Sequence, residues 1–376
     1  MKKKIAVIGS GIAGLTIANL FKGNSNFEVM VYEKEKLLSL EEGYGIQLAP
    51  NSTSILNKIG LSNIDNKDFF NPSKLNFYSS DNQKICDLDL SRFNSKKSKY
   101  TTLKRSVLIE FLKNKLFSNN LKFGKEVKKI SKIKEKLLIN FKDNSNDLVD
   151  FIVASDGVFS NTKLIAENKS ILPIYNGSIA IRTILKNSPE PNYDKNSISL
   201  VMLKNAHIVI YPINKKGEFN VVCIIRQKLS NNIDLKALIK KEIISQNKNL
   251  ESLFENKLEY WPIYTSKKPS KSIYENLFYI GDAFFTFPPT MAQGASQSIE
   301  AANELFNLLS RDNKHTPDLF FKKRLERTKV INRRSKLNHH IFHFSNPILK
   351  TVRNKSLKIM LKNNIFLNNY IGKIYN

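Results

Sequence analysis

The feature that most constrains the fold of this chain is a glycine pattern near the N terminus. Gly9, Gly11 and Gly14 follow the apolar run 5–8 and precede a segment with helical spacing, residues 15–21. Between a strand and a helix, the first glycine permits a tight turn and the second lets backbone N–H groups approach a pyrophosphate, while the third allows close helix–strand packing. The pattern predicts a dinucleotide-binding βαβ unit in about the first 35 residues.

An acidic residue at the expected distance supports this interpretation. Glu33 ends the predicted second strand, residues 28–33, and lies 19 residues after Gly14. Its carboxylate can accept hydrogen bonds from both ribose hydroxyls of an adenosine and would repel a 2′-phosphate, which disfavours NADP at this site. The alternative is a structural glycine-rich turn, and these residues alone do not distinguish FAD from NAD.

The composition excludes several classes of protein. With 376 residues, 41% hydrophobic and 25% charged, the chain is unlike collagen, disordered chains and polytopic membrane proteins. The net charge of +27 fits a polyanionic partner or A/T-rich coding that inflates lysine. We favour the second explanation and predict no nucleic-acid partner. Cys86 and Cys223 give neither a disulfide framework nor zinc spacing, so we predict a cytoplasmic protein.

The pattern of apolar residues changes along the chain. Short strands alternate with helices up to about residue 165, whereas residues 177–226 are β-rich with polar turns, which is typical of an antiparallel sheet. We predict an α/β fold with a Rossmann-type nucleotide-binding domain, an antiparallel β-sheet substrate domain and a C-terminal helical region. Their predicted ranges are 1–73, 100–165 and 275–317 for the first domain, 74–99 and 166–274 for the second, and 318–376 for the helices.

Further motifs follow in a fixed order. After the glycine pattern and Glu33 come Gly45–Asn51, then Arg105 with Leu108 and Leu112, then Asp156-Gly157, Gly281-Asp282 and the loop and helix start 288–300. In this order the chain resembles the group A flavoprotein monooxygenases, which have the p-hydroxybenzoate hydroxylase fold, over roughly residues 1–345. Gly45–Asn51 and 292–300 are most similar to the salicylate and 6-hydroxynicotinate hydroxylase branch.

The resemblance implies one bound, extended FAD. It places Gly9, Gly11, Ala13 and Gly14 at the pyrophosphate, Glu33 at the adenosine ribose, Arg105 on the flavin side, the Val127 backbone at the adenine, and Asp282 at the ribityl–phosphate region. It also assigns Asp156 and Gly281 to the cofactor site and the backbone of Gly294, Ala295 and Ser296 to the pyrimidine edge of the flavin, with Pro289 beside the site where oxygen reacts.

The chemistry implied by the resemblance is hydroxylation of an electron-rich phenolic or heteroaromatic ring through a C4a-hydroperoxyflavin, with NADH or NADPH and O2 as co-substrates. Gln47, Arg182, His207 and Tyr211 are the candidate substrate contacts, and Pro289, Gln47 and Tyr211 the candidate catalytic residues. The alternatives are a membrane-associated hydroxylase of ubiquinone biosynthesis, and a flavin oxidoreductase or halogenase that transfers no oxygen.

The chain departs from the family at three positions. Phe284 and Phe285 stand where relatives often have histidine, Lys163 replaces an arginine, and Glu300 has Ala301 beside it instead of a second acid. We still predict FAD binding. The differences concern positions from which nicotinamide handling and substrate identity would be inferred.

The C-terminal region leaves two questions open. His339 and His343 have a metal-capable helical spacing, but no third ligand is evident, so we predict no metal. Residues 347–376 combine apolar residues with lysine and arginine only. Such a segment fits either peripheral contact with the inner face of an anionic membrane or a helix that docks its apolar side on the protein.

Overall fold

The structure is a computed structural model that describes residues 1–38, 44–168, 172–187, 189, 193–230, 232–311 and 315–375. The strands are β1 (Lys3–Ile8), β2 (Phe27–Tyr32), β3 (Gly45–Leu48), β4 (Phe69–Phe70), β5 (Lys74–Tyr78), β6 (Lys84–Asp89), β7 (Thr101–Lys104), β8 (Leu121–Lys122), β9 (Val127–Ile133), β10 (Lys136–Phe141), β11 (Asn146–Val149), β12 (Phe151–Ala154), β13 (Ile174–Leu185), β14 (Ile198–Leu203), β15 (Ala206–Pro212), β16 (Phe219–Arg226), β17 (Glu259–Thr265) and β18 (Leu277–Tyr279). The helices are α1 (Ile12–Phe21), α2 (Pro50–Asn57), α3 (Arg105–Lys115), α4 (Asn161–Glu167), α5 (Leu235–Ile239), α6 (Gly294–Leu309), α7 (Thr316–Phe342), α8 (Pro347–Met360), α9 (Asn364–Leu367) and α10 (Lys373–Tyr375).

The first sheet is the predicted nucleotide-binding sheet. Its five strands are all parallel and run in the order β18-β12-β1-β2-β8. Its central strand, β1, is buried from Ile5 to Ile8, as expected for a strand covered on both faces. Helices α1 and α6 pack together over one face, where Ile17 and Leu305 share a core with β1. The predicted β1–α1–β2 unit and the Rossmann-type arrangement are confirmed.

The second sheet has seven strands in the order β17-β13-β16-β15-β14-β5-β6. Its pairs are antiparallel except β14 with β5, which are parallel, so the predicted antiparallel sheet is mixed at this point. The pairing joins the hairpin β5–β6 to strands from 174–265. One face packs against α5 and residues 248–254, and the other packs against α7 and the C-terminal residues 367–375.

Two three-stranded sheets complete the β-structure, with orders β11-β10-β9 and β3-β7-β4. The second of these connects the two large sheets. Gly45 donates its N–H to Asn220 Oδ1 on β16 at 2.8 Å, and Ala49, just after β3, donates its N–H to Ser296 Oγ on α6 at 3.2 Å. Strand β3 is therefore held between the substrate sheet and the start of α6.

The C-terminal region is helical, as predicted. The last part of the described chain buries Leu367, Ile371, Ile374 and Tyr375 in the core beside the seven-stranded sheet. Helix α8 behaves differently, because its apolar side chains Ile348, Val352 and Ile359 are 72%, 55% and 70% exposed. Within the described part of the chain, no helix combines the length and apolar character needed to cross a bilayer.

Candidate functional site

The glycine loop has the geometry that its sequence predicts. Gly9 has a φ of +97°, and a Cβ there would lie 2.8 Å from the Ser155 carbonyl oxygen. A Cβ on Gly14 would lie 2.0 Å from the Gly9 carbonyl oxygen and 2.5 Å from Ser155 Oγ. At Gly11, by contrast, a Cβ would meet nothing within 4 Å. Gly9 and Gly14 are thus required by packing, while Gly11 borders open space.

Two distant segments converge on this loop. Ser155, at the end of β12, donates its hydroxyl to the carbonyl oxygens of Ile8 and Gly9 at 2.8 and 3.0 Å. Gly281, just after β18, lies so close to α1 and α6 that a Cβ would be 3.0 Å from both Ala13 Cβ and Ser298 Oγ. The carboxyl ends of β1, β12 and β18 therefore meet at one edge of the sheet, where ligands of open α/β sheets bind.

Asp282 is the carboxylate of this cleft. Its side chain is exposed, and Gly281, Asp282, Gly294 and Ser298 line one cavity together. The surrounding protein raises the pKa of Asp282 to about 6, while the positive charge of Arg105 at the start of α3 opposes the shift. The carboxylate and the guanidinium are thus brought together from positions 177 residues apart, 282 minus 105.

The residues predicted for the adenosine end lie at the end of β2 and near it. Glu33 Oε2 accepts hydrogen bonds from the N–H and the hydroxyl of Ser10 at 2.8 and 2.6 Å, which holds the carboxylate beside the glycine loop. Lys125 donates its N–H to the Glu33 carbonyl at 2.8 Å, so Val127 at the start of β9 lies near this end. The carbonyl of Val127 accepts a hydrogen bond from Asn161 at 2.9 Å.

Asp156 has a different local environment from Asp282. Its two carboxylate oxygens accept hydrogen bonds from the Ser160 hydroxyl and from the N–H of Thr162, at 2.9 Å for the latter, so it stabilises the start of α4. Lys163, on α4, donates to the Ala283 carbonyl at 3.3 Å and joins this segment to the loop after β18. Direct cofactor contact by Asp156 stays a prediction.

The start of α6 completes the cofactor side. Neither Gln293 before α6 nor Gly11 before α1 caps its helix through a side chain, so the first N–H groups of both helices have no side-chain acceptor there. Gly294 is exposed and a Cβ on it would meet nothing within 4 Å; Ala295 is half-buried and Ser296 is buried. Pro289 is exposed and begins the short turn Pro289–Met291.

These features fit an extended dinucleotide with a flavin. Two uncapped helix starts offer N–H donors and positive dipole ends to a pyrophosphate and to the electron-rich edge of a ring. The open space above Gly11 and Gly294 gives room for close backbone approach. The carboxylate oxygens of Glu33 and Asp282 are groups that can accept hydrogen bonds from sugar or ribityl hydroxyls.

On the opposite side, five residues form what we call the sheet-side cluster: Gln47, Tyr100, Arg182, Tyr211 and Tyr375. The Tyr100 hydroxyl donates to Gln47 Oε1 at 2.8 Å, and the Gln47 side chain also lies beside Tyr211. Burial raises the pKa of Tyr211 to about 12, against the opposing effects of Arg182 and Gln47. The structure therefore brings three predicted substrate residues together.

Arg182 is the cation of this cluster. It is half-buried, its guanidinium lies 5.9 Å from the centre of the Trp261 ring, and the ion pairs of the described residues do not include it. Glu259 is opposite Arg182 in the strand register, but its carboxylate is 2.7 Å from Lys257 Nζ. Arg182 can therefore bind an external anion.

His207 lies elsewhere on the same sheet face. It is four residues from Tyr211 along β15, about 13 Å away at strand spacing. It is 2% exposed, and its Nδ1 lies 2.7 Å from Nε2 of His343 at the end of α7. The structure thus places His207 in a buried histidine contact and not with Gln47 and Tyr211. No group of residues suited to a metal occurs among the described residues.

Sequence reasoning missed Tyr100 and Tyr375. Tyr100 precedes β7, and Tyr375 belongs to a tail whose composition fitted either membrane contact or docking on the protein without indicating where it would dock. Their contact depends on tertiary packing, and no sequence spacing relates them. The Asn51 amide, which donates to Glu300 at 2.9 Å, was also unassigned, although the motif that contains it was noticed.

Curated proteins of similar sequence are aromatic monooxygenases. The chain is 25% identical to 6-hydroxynicotinate 3-monooxygenase of Bordetella bronchiseptica, covering 92% of this chain and 94% of that protein. It is 24% identical to 3-amino-4-hydroxybenzoate 2-monooxygenase PtnB3 of Streptomyces platensis, covering 95% and 92%. No family profile matches the chain.

Solved structures share the fold over nearly the whole chain. HpxO of Klebsiella pneumoniae, complexed with FAD and uric acid, superposes with a TM-score of 0.88 at 17% identity, covering 99% of this chain and 96% of HpxO. A salicylate hydroxylase substrate complex gives a TM-score of 0.78 at 16% identity, covering 100% and 98%. The full-length similarity to these monooxygenases, the shared fold and the converging motifs show an FAD-dependent monooxygenase that resembles the group A aromatic hydroxylases.

Proposed function

We propose that this enzyme hydroxylates a small aromatic acid that carries a ring hydroxyl or a ring nitrogen, using NADH or NADPH and O2. The balanced reaction consumes ArH, O2, NAD(P)H and one proton and yields ArOH, NAD(P)+ and water. The observation that carries the proposal is Arg182, a cation without an ion-pair partner among the described residues, beside Tyr211. The curated relatives named above act on hydroxynicotinate and aminohydroxybenzoate, which are both aromatic acids.

In this proposal the two sides of the site divide the work. Arg182 binds the substrate carboxylate, and Gln47 and Tyr211 hydrogen-bond the ring substituent, so the ring is held between the sheet and the turn Pro289–Met291. When bound, reduced FAD would supply the chemistry that transfers one oxygen atom of O2 to the ring. Phe287 and Met291 pack against the same apolar cluster as Tyr211, which favours exclusion of water from the reacting ring.

The protonation states of the sheet-side cluster limit the acid–base chemistry that its side chains can perform. Gln47 has no titratable proton, and burial keeps the Tyr211 hydroxyl protonated at neutral pH, since its pKa is about 12. The sheet-side cluster contains no carboxylate and no histidine. We infer that the substrate is activated by its own hydroxyl or amino group, with Tyr211 acting as a hydrogen-bond donor or acceptor.

The test begins with the FAD-loaded protein. NADH- and NADPH-driven O2 uptake is measured with a panel of hydroxybenzoates and hydroxypyridine carboxylates, each paired with its neutral carboxamide, and products are identified by mass spectrometry. We expect uptake stimulated by the acids and a product heavier by one oxygen atom. Stimulated uptake without an oxygenated product would contradict the proposal and favour an oxidoreductase without oxygen transfer.

Arg182→Gln is the matched variant for the carboxylate contact. Loss of a charge-assisted hydrogen bond predicts a fall in kcat/KM for the acid of roughly 10- to 100-fold, while the carboxamide changes by less than about 3-fold. Equal loss for acid and carboxamide would assign Arg182 a structural role instead.

We also propose that α8 touches an anionic membrane surface. Its exposed residues Ile348, Val352 and Ile359 recur on one helix face, bordered by the exposed Lys355 and Lys362. Residues 327–376 contain eleven lysines and arginines and no acid, so this surface repels a second copy of itself. Apolar residues edged by lysine are typical of helices that lie in a lipid interface.

Vesicle co-sedimentation tests this contact. Phosphatidylcholine vesicles with and without phosphatidylglycerol are compared for the wild type, Ile359→Asp and Leu172→Asp, the last being an exposed apolar residue far from α8 in sequence. We expect binding only to the anionic vesicles, and loss of binding only in Ile359→Asp. Equal recovery of all three proteins with and without vesicles would remove the membrane proposal.

A further inference from the structure

Trp261, the only tryptophan of the chain, is half-buried on β17, the outermost described strand of the seven-stranded sheet. In the register of β13 with β17 it is directly opposite Ala180, two residues before Arg182. Residues two apart on a strand share a face, so Trp261 and Arg182 are diagonal neighbours on one face, within reach of an aromatic and a long side chain. The central guanidinium carbon of Arg182 lies over the Trp261 ring, 5.9 Å from its centre.

The strand register also places this pair on the face that carries Tyr211. Arg182 is opposite Val222 on β16, and Val222 is opposite Val209 on β15, so these three side chains share a face. Tyr211 comes two residues after Val209 and therefore lies on that face as well. Tyr211, Arg182 and Trp261 thus follow one another across the sheet, from β15 through β13 to β17.

Tyr44, just before β3, supports the Trp261 ring. The two ring centres are 5.2 Å apart and the rings meet edge to face at 78°, a favoured arrangement of aromatic pairs. The main chain here is fixed on both sides, because the Tyr44 carbonyl accepts the N–H of Arg105 at 2.9 Å and the Gly45 N–H is bonded to Asn220. A Cβ on Gly45 would lie 2.7 Å from Asn220 Cβ, so glycine permits this close approach. Tyr44 and Trp261 are therefore held together by the packing of β3 on the substrate sheet.

The contact with Trp261 restrains the Arg182 guanidinium without using its hydrogen-bond donors. An indole ring attracts a guanidinium through its π face and offers no hydrogen-bond acceptor. Glu259, which is opposite Arg182 in the register, has its carboxylate 2.7 Å from Lys257 Nζ. The N–H groups of Arg182 therefore stay available for a carboxylate, and a side chain restrained before binding loses less conformational entropy when the ligand arrives.

We propose that Trp261, supported by Tyr44, is a positioning residue that holds the Arg182 guanidinium ready for the substrate carboxylate and so sets the preference for acids over neutral analogues. The inference rests on the proposed function, and it assigns a role to two aromatic residues outside the motifs that carry the family resemblance. Because Trp261 acts on the anion contact, its replacement changes KM for acids more than it changes kcat.

The experiment compares Trp261→Leu, which removes the π system, with Trp261→Phe, which keeps a smaller one. The FAD-loaded variants are assayed with the panel acid that gives the wild type its highest kcat/KM, and with the matching carboxamide. For Trp261→Leu we expect kcat/KM for the acid to fall roughly 3- to 30-fold, mainly through KM, and that for the carboxamide to change less than about 2-fold. Trp261→Phe is expected to lose less, because a phenyl ring keeps a weaker cation–π contact.

Tyr264→Leu is the matched control. Tyr264 is also half-buried on β17, but its ring contacts Phe159 and Tyr175 instead of Arg182. We expect its kcat/KM for the acid to stay within about 2-fold of the wild type. The affinity for FAD is expected to be unchanged in all three variants, and the conservative Trp261→Phe carries the test if Trp261→Leu unfolds.

A double variant separates positioning from packing. If Trp261 acts through Arg182, then Trp261→Leu in the Arg182→Gln background changes kcat/KM for the acid by less than about 2-fold. Equal losses for acid and carboxamide, or a Trp261→Leu enzyme with wild-type preference for the acid, would overturn the inference.

Binding without turnover distinguishes failure of the inference from failure of the proposed function. A wild-type enzyme that oxygenates no panel compound contradicts the proposed function. The hydroxybenzoates, hydroxypyridine carboxylates and their carboxamides are then titrated into the FAD-loaded protein without NAD(P)H, and flavin absorbance and the emission of the single tryptophan are followed. We expect the acids to change the Trp261 emission more than the carboxamides do, and Trp261→Leu to weaken the affinity for acids alone. Acids that bind the wild type no more tightly than their carboxamides would overturn the inference.

Discussion

The cofactor side and the substrate side of this site are built in different ways. The cofactor side uses main chain: glycines without Cβ atoms, two helix starts and the ends of three neighbouring parallel strands. The sheet-side cluster uses side chains from positions 47, 100, 182, 211 and 375, which belong to separate elements. A site built from main chain depends on a few positions that tolerate little substitution, whereas a site built from side chains can be altered one residue at a time.

This difference explains how a family can keep one cofactor and change its substrate. On the cofactor side, a substitution at Gly9 or Gly14 meets backbone atoms that cannot move aside cheaply. In the sheet-side cluster the contacts are made by side chains, since the tyrosines pack in one apolar core and Arg182 lies over the Trp261 ring. Substitutions there are expected to change affinity and coupling while leaving the fold intact.

The largest effect is expected from Gly14→Ala compared with Gly11→Ala. At Gly14 the added methyl group would overlap the Gly9 carbonyl, so we expect the free energy of unfolding to fall by more than about 3 kcal/mol. At Gly11 there is no neighbour within 4 Å, so we expect a change of less than about 1 kcal/mol but at least 10-fold weaker FAD binding. Urea unfolding of both variants without FAD measures the two changes in unfolding free energy. Equal destabilisation would contradict the different roles given to Gly14 and Gly11.

The next effect concerns Glu300, which joins the two sides. Burial disfavours its ionisation, but Arg324 and Arg327 outweigh burial and lower its pKa. Glu300→Gln leaves Arg324, which is 2% exposed, without its nearest charge partner at 2.9 Å. We expect a loss of about 2 to 3 kcal/mol in unfolding free energy, since Glu300 itself is partly exposed.

Glu304→Gln is the control for this prediction. Glu304 is on the same helix but is 3.5 Å from Arg324, and burial raises its pKa. The same isosteric change is expected to cost less than about 1 kcal/mol. A larger loss of unfolding free energy for Glu304→Gln than for Glu300→Gln would contradict the prediction that Glu300 is the main partner of Arg324.

Acid is expected to weaken the substrate side first. His207, His339 and His343 pack together between β15 and α7, and no histidine occurs in residues 1–168. Burial lowers the pKa of His207 to about 3 and that of His339 to about 4, and lowers that of His343 further. The charges of Arg226 and His340 add to the effect on His339 and His343.

The sign follows from proton binding. Below pH 6.5 the unfolded chain binds more protons at these histidines than the folded protein does, so the unfolding free energy falls as the pH falls. Between pH 7 and 6 we expect a loss of about 1 to 2 kcal/mol, measured by urea unfolding. His207→Phe is expected to reduce this slope. An unchanged slope would mean that carboxylates elsewhere control the acid sensitivity.

The smallest effect is expected from Asp282→Asn. The cleft raises the pKa of this carboxyl to about 6, so at pH 7 its ionisation opposes folding. Because the side chain is solvent-exposed, we expect the apo protein to gain less than about 1 kcal/mol. FAD binding is expected to weaken, since the substitution replaces one of the two acceptor oxygens with an NH2 donor. Destabilisation of the apo variant would show that Asp282 has a structural partner.

How far the sequence could predict the site depends on the range of the interactions. The turn at Gly9, the close packing at Gly14 and the position of Glu33 follow from local spacing, because a strand–turn–helix unit leaves little choice to the backbone. Gln47 and Tyr211 could be named only through the resemblance, and that they lie beside each other needed the tertiary structure. His207 lies on the same face of β15 as Tyr211, but the end of α7 covers it, which no strand periodicity reveals.

The flavin and the class of reaction were inferred from the family resemblance that the motifs carry, whereas the sequence by itself determined the parallel nucleotide-binding sheet and its glycine turn. Those properties rest on backbone conformations that only particular residues at particular spacings allow. The tertiary structure decided which side chains meet: Arg105 with Asp282, Glu300 with two arginines of α7, and Tyr375 with Tyr100. Such contacts join residues whose separation along the chain carries no periodic signal, so only packing of the whole fold brings them together.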